Sequence, residues 1–181
     1  IFVYQDITDL AKREEYDLIV MGTKGAHNPF EKILGSVTTH TMMNAPCPVL
    51  AVPEKAKYEP IESIAYATDF APKDEHALEK LFEISKVLNA KVHFVHVETE
   101  PAIGDMKETI EIDHYPFEFT DFSLINRQSV MDGLDEFIEN KEVNLLAMFI
   151  PRRRLWERLF HRSFTKKMTF HSKTPLLVFH G

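Results

Sequence analysis

Apolar positions follow two rhythms along this chain. Short, largely apolar runs, the pattern of strands buried on both faces, occur at Leu18 to Met21, Val49 to Val52, Ser63 to Ala67, Lys91 to Val97, Asn144 to Ile150 and Pro175 to Phe179. Between them, apolar residues recur at helical spacing. Ile7, Leu10 and Ala11 do so within Asp6 to Glu15, and Ala77, Leu81, Ile84 and Leu88 within Pro72 to Leu88. Val130, Leu134, Phe137 and Ile138 do so within Ser129 to Asn140, and Val37 to Met43 is a shorter helical segment. Ile1 to Tyr4 reads as the end of a strand. Tyr115 to Leu124 reads as another strand, with Phe117, Phe119 and Asp121 alternating against Glu118 and Thr120. Leu155 to Phe170 reads as a basic helix.

Strands alternating with helices predict right-handed βαβ crossovers and a parallel sheet. Five of the strands fall after Glu62, enough for a complete doubly wound domain. The polar stretch Glu54 to Pro60, EKAKYEP, reads as a linker. The chain also repeats itself. At a constant shift of 127 positions, Asp17-Leu18-Ile19-Val20-Met21-Gly22 lies over Asn144-Leu145-Leu146-Ala147-Met148-Phe149. The same shift puts Ser36 over Ser163, Thr38 over Thr165 and Pro48-Val49-Leu50 over Pro175-Leu176-Leu177. The expected organisation is therefore the back of a first domain (1–53), a linker (54–61) and a whole second copy (62–181).

Composition narrows the function classes. The 181 residues are 44% hydrophobic, enough for a true core. A net charge of −7 argues against general nucleic-acid binding. No apolar run approaches the roughly 18 residues of a membrane span, and no signal peptide is visible. The single cysteine, Cys47, excludes an internal disulfide and fits a reducing, cytoplasmic compartment. Between two prolines and ahead of a strand, it reads as a buried packing residue.

The pointed chemistry lies between Asp17 and Val52. A strand that stops at Gly22 delivers the chain to the carboxyl edge of the sheet, where ligands of open α/β folds sit. Gly22 and Gly25 permit a close approach to bare backbone. Gly35 and Ser36 open the next helix with free N–H groups, a hydroxyl and the positive dipole end, a set that suits phosphate. Read alone, such glycines serve equally as turns. The full run Gly22-x2-Gly25-x9-Gly35-Ser36, with LIVM ahead and APCPVLAV behind, resembles the nucleotide-binding signature of the universal stress protein family.

That resemblance extends to Ala67-Thr68-Asp69 and to the repeat. It implies an adenine nucleotide alpha hydrolase-like fold, a doubly wound parallel five-stranded sheet. It also implies ATP or AMP as ligand, with Mg accompanying the phosphates. Carried over by position, Met21 approaches the ribose, and Gly22 and Gly25 line the phosphate and ribose side. Gly35 and Ser36 hold the phosphates, and Val37 adds a backbone N–H. The family's first-strand aspartate has no counterpart in the first repeat, so that site is half a site here. Asp69 matches it in the second repeat, where it serves equally as a strand-end cap. There Phe149, Arg152 and Arg162 replace the three glycines and only Ser163 is kept, so the second site reads as degenerate. The family also pairs the last strands of two domains. This implies contact between Val49-Leu50-Ala51-Val52 and Leu176-Leu177-Val178-Phe179, within the chain as a pseudo-dimer or between chains as a homodimer.

Other features carry less. Arg152-Arg153-Arg154, Arg158, Arg162, Lys166 and Lys167 form either an anion or acidic-partner patch or a solvated helix face paired with the acidic stretch Glu98 to Asp113. His93 and His96, three apart on a strand, point to opposite faces and do not chelate one ion together. His161, His171 and His180 show no ligand spacing. His40 reads as a helix-packing residue. No HExxH, GxSxG or P-loop Lys-Ser pair is present, so no catalytic or metal residue is assigned. Lys24 is within reach of phosphates, and at most slow ATP hydrolysis is expected. The leading expectation is a nucleotide-responsive cytoplasmic stress protein. The alternative is an assembly or interaction module that binds no nucleotide.

Overall fold

The computed structural model describes residues 3–23, 36–68, 75–99, 119–150 and 173–180. The expected helix at Leu155 to Phe170, the basic stretch and most of the acidic connection fall outside these residues. In chain order the elements are α1 (Val3–Arg13), β1 (Ile19–Gly22), α2 (Ser36–Asn44), β2 (Val49–Val52), β3 (Ser63–Ala67), α3 (Glu75–Leu88), β4 (Lys91–Glu98), β5 (Asp121–Asn126), α4 (Val130–Asn140), β6 (Leu145–Ile150) and β7 (Leu176–His180).

The strands form one seven-stranded sheet in the order β1-β2-β7-β6-β3-β4-β5. Its last five strands are the expected parallel, doubly wound sheet. From β3 the chain winds outward through β4 to β5, then returns across to β6 and β7. The parallel pair β1–β2 is joined to this sheet by an antiparallel contact between β2 and β7. The expected meeting of these two last strands is thus made within the chain. One consequence is that the carboxyl ends of β1 and β2 lie at the sheet edge where β3 to β7 begin.

Apolar side chains on the two faces build two cores. One face gathers Met42 from α2 and Ala45 just beyond its end, Leu134, Phe137 and Ile138 from α4, and Val95, Leu146, Met148 and Val178 from the strands. The other gathers Leu78, Leu81 and Phe82 from α3 with Tyr66, Phe94, Ala147, Phe149 and Phe179. Alternation along each strand feeds both cores, which is why the central strands read as apolar runs. Ser129 caps α4, its hydroxyl accepting from the Asp132 N–H at 3.4 Å.

Two elements differ from their sequence reading. Val3 and Tyr4 belong to a helix and not to a strand. Their β-branched and aromatic character favours a strand, but the helical spacing of Tyr4, Ile7 and Ala11 prevails over local propensity. Of the strand expected at Tyr115 to Leu124, residues 115–118 lie outside the described residues, and the described part is strand from Asp121, where pairing with β4 begins at His93↔Asp121, on to Asn126.

The internal repeat is structural as well as sequential. The 127-position shift carries α1 (Val3–Arg13) onto α4 (Val130–Asn140) end to end. It carries the pairing Ile19↔Val49 onto Leu146↔Leu176, and the bond from Ile19 N–H to Pro48 C=O (2.9 Å) onto that from Leu146 N–H to Pro175 C=O (3.0 Å). Even the left-handed residue that ends each helix matches, Glu15 at φ 53° and Glu142 at φ 50°. At the antiparallel junction Leu50 faces Leu177, its own counterpart. A pseudo-two-fold axis therefore passes between them.

Candidate functional site

The first repeat brings β1 and α2 together at one point. β1 ends at Gly22, and Thr23 continues its direction with an N–H bond of 3.1 Å to Val52 C=O. The chain re-enters the described region as the first turn of α2, Ser36 and Val37. One turn in, the Thr38 hydroxyl donates to the Gly22 carbonyl at 2.9 Å. Thr38 is buried, so this bond holds the amino end of α2 against the carboxyl end of β1. The free N–H groups of a helix start are thereby fixed beside a strand-end glycine, an arrangement suited to an anion.

Of the expected contact residues, Met21, Gly22, Ser36 and Val37 are described. Met21 is half-buried and packs on the core beside α2, Gly22 is exposed, and Val37 is half-buried. Gly25, Gly35 and Lys24 lie outside the described residues. Among those residues, nothing stands within 4 Å of the place where a side chain on Gly22 would begin. Among the described residues, no packing constraint demands glycine there. In the second repeat the matching residue is Phe149, 8% exposed and part of the core beneath α3. The two strand ends therefore differ as their sequences do: bare backbone in one, a buried ring in the other. Asp69, Arg152, Arg162 and Ser163 fall outside the described residues.

Two threonines of α2 matter more than the sequence suggested. Thr38 is the tether just described. Thr41, three residues on, is fully buried, and its hydroxyl has no hydrogen-bond partner among the described residues. Hydroxyls at a three-residue spacing were the available signal, but only the folded chain shows which carbonyl one of them meets. His40 stacks its ring on Tyr4 with centroids 4.6 Å apart, joining α1 to α2.

At the opposite edge of the second repeat, His93 Nδ1 lies 2.9 Å from Asp121 Oδ1, and Lys141 Nζ donates to Asp121 Oδ2 at 2.7 Å. Burial alone pushes the Asp121 carboxyl up. The hydrogen bonds and charges of Lys141 and His93 outweigh it and hold the group below the usual carboxylate range. His96, on the other face, donates from Nδ1 to Thr68 C=O at 2.7 Å. The two histidines serve separate contacts, as their spacing implied. Cys47 is buried. Desolvation pushes its thiol up, with Lys80 opposing and Asp17 assisting, so it is a poor nucleophile. Among the described residues, no group of three or more His, Cys, Asp or Glu is placed to hold a metal ion, and no helix is long and apolar enough to cross a membrane.

Comparison with known proteins bears on the fold and on the first repeat. The profile of the universal stress protein family matches residues 3–53. A universal stress protein of Methanocaldococcus jannaschii is 42% identical over 52 residues, which are 29% of this chain and 31% of that protein. A crystal structure of a universal stress protein from Archaeoglobus fulgidus DSM 4304 superposes with a TM-score of 0.63 at 19% identity, covering 97% of this chain and 64% of that one. A protein of unknown function from Pseudomonas aeruginosa PAO1 gives 0.65 at 18%, covering 98% and 67%. At such identities the structural likeness is one of fold. The match to the curated relative spans about a third of that protein's length, and the chain spans about two thirds of the Archaeoglobus chain.

Proposed function

We propose that this chain, whose residues 3–53 belong to the universal stress protein family, is a nucleotide-responsive stress protein that takes ATP or AMP at the first-repeat strand end. In this reading Gly22, Gly25, Gly35 and Ser36 line the phosphates and the ribose side, Met21 approaches the ribose, and Val37 contributes a backbone N–H. Mg accompanies the phosphates when ATP is bound. The observation that supports the reading is the Thr38 tether, which fixes the α2 amino end beside the Gly22 carbonyl. A phosphate there gains directed N–H donors and a favourable dipole without displacing a side chain. No general base stands by the site among the described residues, so nucleotide acts as a bound signal, hydrolysed slowly at most.

The organisation we infer is a tandem protein: the back of a first domain at 1–53, a linker at 54–61 and a second domain at 62–181. The second domain carries no ordinary nucleotide site, since a core ring occupies the position of its first glycine. The protein would act in the cytoplasm, where Cys47 stays reduced. The β2–β7 contact makes it an intramolecular pseudo-dimer. That same contact favours the second reading, in which the paired repeats serve assembly alone. The discriminating experiment is release and identification of bound nucleotide from the purified protein and from its Gly35→Arg variant. ATP or AMP in the parent and none in the variant supports the first reading. No nucleotide in either, with no binding of added ATP at millimolar concentration, leaves the assembly module.

A further inference from the structure

We propose, building on the nucleotide reading, that the Thr23 hydroxyl is a phosphate ligand. It donates to a phosphoryl oxygen seated at the amino end of α2, so the site tells nucleotides apart by their phosphates. The spacing Gly22-x2-Gly25 leaves this side chain open.

The ladder of β1 fixes where Thr23 points. Ile19 gives its N–H to Pro48 C=O at 2.9 Å, and Thr23, four residues on, gives its own to Val52 C=O at 3.1 Å. Thr23 therefore keeps the alternation of the strand, and its side chain leaves on the face of Ile19 and Met21. Those two pack against the core that Met42 of α2 enters, so Thr23 stands on the α2 side of the sheet. The tether sets its height along the helix. Thr38 donates to the carbonyl of Gly22, the residue before Thr23. Thr23 is thus level with the first turn of α2, where the N–H groups of Ser36 and Val37 have no intrahelical acceptor.

The hydroxyl itself is unspent. Thr23 is 9% exposed, and its Oγ makes no hydrogen bond among the described residues. Enclosed polar groups are nearly always paired in a native fold, so an exception calls for a reason. Packing does not supply one. At the 127-position shift Thr23 lies over Ile150, which is 3% exposed in the same core. The repeat that lost its glycines fills this place with an aliphatic side chain, and the repeat that keeps them places a hydroxyl there. Thr41 is the contrast within α2. Its hydroxyl is also unpartnered among the described residues, but it is fully buried one turn further into the core. Thr23 instead sits where the strand ends and the helix begins. A phosphoryl oxygen there accepts from the α2 N–H groups and from Thr23 Oγ together. The hydroxyl then makes a charge-assisted bond, the stronger kind.

The test is equilibrium binding of ATP, AMP and adenosine to the 181-residue chain and to its Thr23→Val and Thr23→Ser variants. Valine keeps the shape and removes the hydroxyl, and serine keeps the hydroxyl. We expect Thr23→Val to weaken ATP and AMP about 10-fold and to leave adenosine unchanged, with Thr23→Ser close to the parent. Ligand-free Thr23→Val should unfold at or above the parent's Tm, since no partner is lost. Thr23→Ala carries the same binding expectation, so the outcome does not hang on one variant's folding. Equal ATP affinity in the parent and in Thr23→Val overturns the proposal and leaves the nucleotide reading standing. Weakening of ATP and adenosine alike also overturns it, as a loss of shape and not of a phosphate bond. A parent that binds no ATP at millimolar concentration overturns both.

Discussion

The two repeats share a backbone and differ in what covers it. α1 and α4 end on the same left-handed turn, and β1 and β6 pair with the next strand in the same register. Yet β6 is buried throughout, while β1 alternates between half-buried and exposed. Backbone geometry is thus set locally, by the crossover helix and the prolines that start β2 and β7. Burial is set by neighbours. The repeat with its neighbours fills its strand end with Phe149, and the one without them leaves Gly22 bare.

Exchanging the two strand-end residues tests this most severely. Phe149→Gly should cost about 4 kcal/mol, a large core side chain plus the freedom of a glycine. Gly22→Phe should change stability by less than about 1 kcal/mol and abolish any nucleotide binding. Denaturant unfolding and titration with ATP would read both. Equal costs would mean that the space over Gly22 is filled. The helix pair comes next. Phe137→Ala should cost about 3 kcal/mol or more, and Leu10→Ala, at the matching position, less than about 1 kcal/mol.

A smaller effect separates the repeats by pH. The Asp121 carboxyl is held low in the folded chain, so its contribution is present above the unfolded value near 4 and is lost as pH falls through the lower folded value. Thermal unfolding between pH 7 and 2 should therefore show an acid loss that Asp121→Asn blunts. Since the group is about one-third exposed, the difference should be about 1 kcal/mol or less. Changes of similar or smaller size are expected within α2. Thr38→Val removes the Gly22 tether and should cost about 1 kcal/mol. Thr41→Val removes a buried hydroxyl that has no partner among the described residues, and should be neutral or slightly stabilising.

Much of the fold was legible because its signals are local. Val49 to Val52 and Ser63 to Ala67 are strands with the limits their apolar runs suggested. The repeat was legible because identical spacing needs no gap from Asp17 to Leu50. Where local signals conflicted, reading failed. Ile1 to Tyr4 has strand composition and helical spacing, and spacing prevailed at Val3 and Tyr4. Phe119 falls in an alternating run as a strand residue would, but among the described residues register against β4 begins at Asp121. The glycine at the strand end could be read directly. Its tether could not, since Thr38 lies 16 positions away. The His93–Asp121–Lys141 cluster was illegible for the same reason, its members being 28 and 20 positions apart. Contacts that only folding closes leave no periodic trace.

The junction at Leu50 and Leu177 has a thermodynamic corollary. Residues 53–62 connect the end of β2 to the start of β3, which lie at the same sheet edge about three strand spacings apart, roughly 14 Å. Ten residues reach more than twice that distance when extended, about 33 Å, so the connection is slack. A tether of this kind presents one strand to the other at an effective concentration of about a millimolar. The closed fraction of this contact is therefore set by the chain itself and does not change on dilution of the protein.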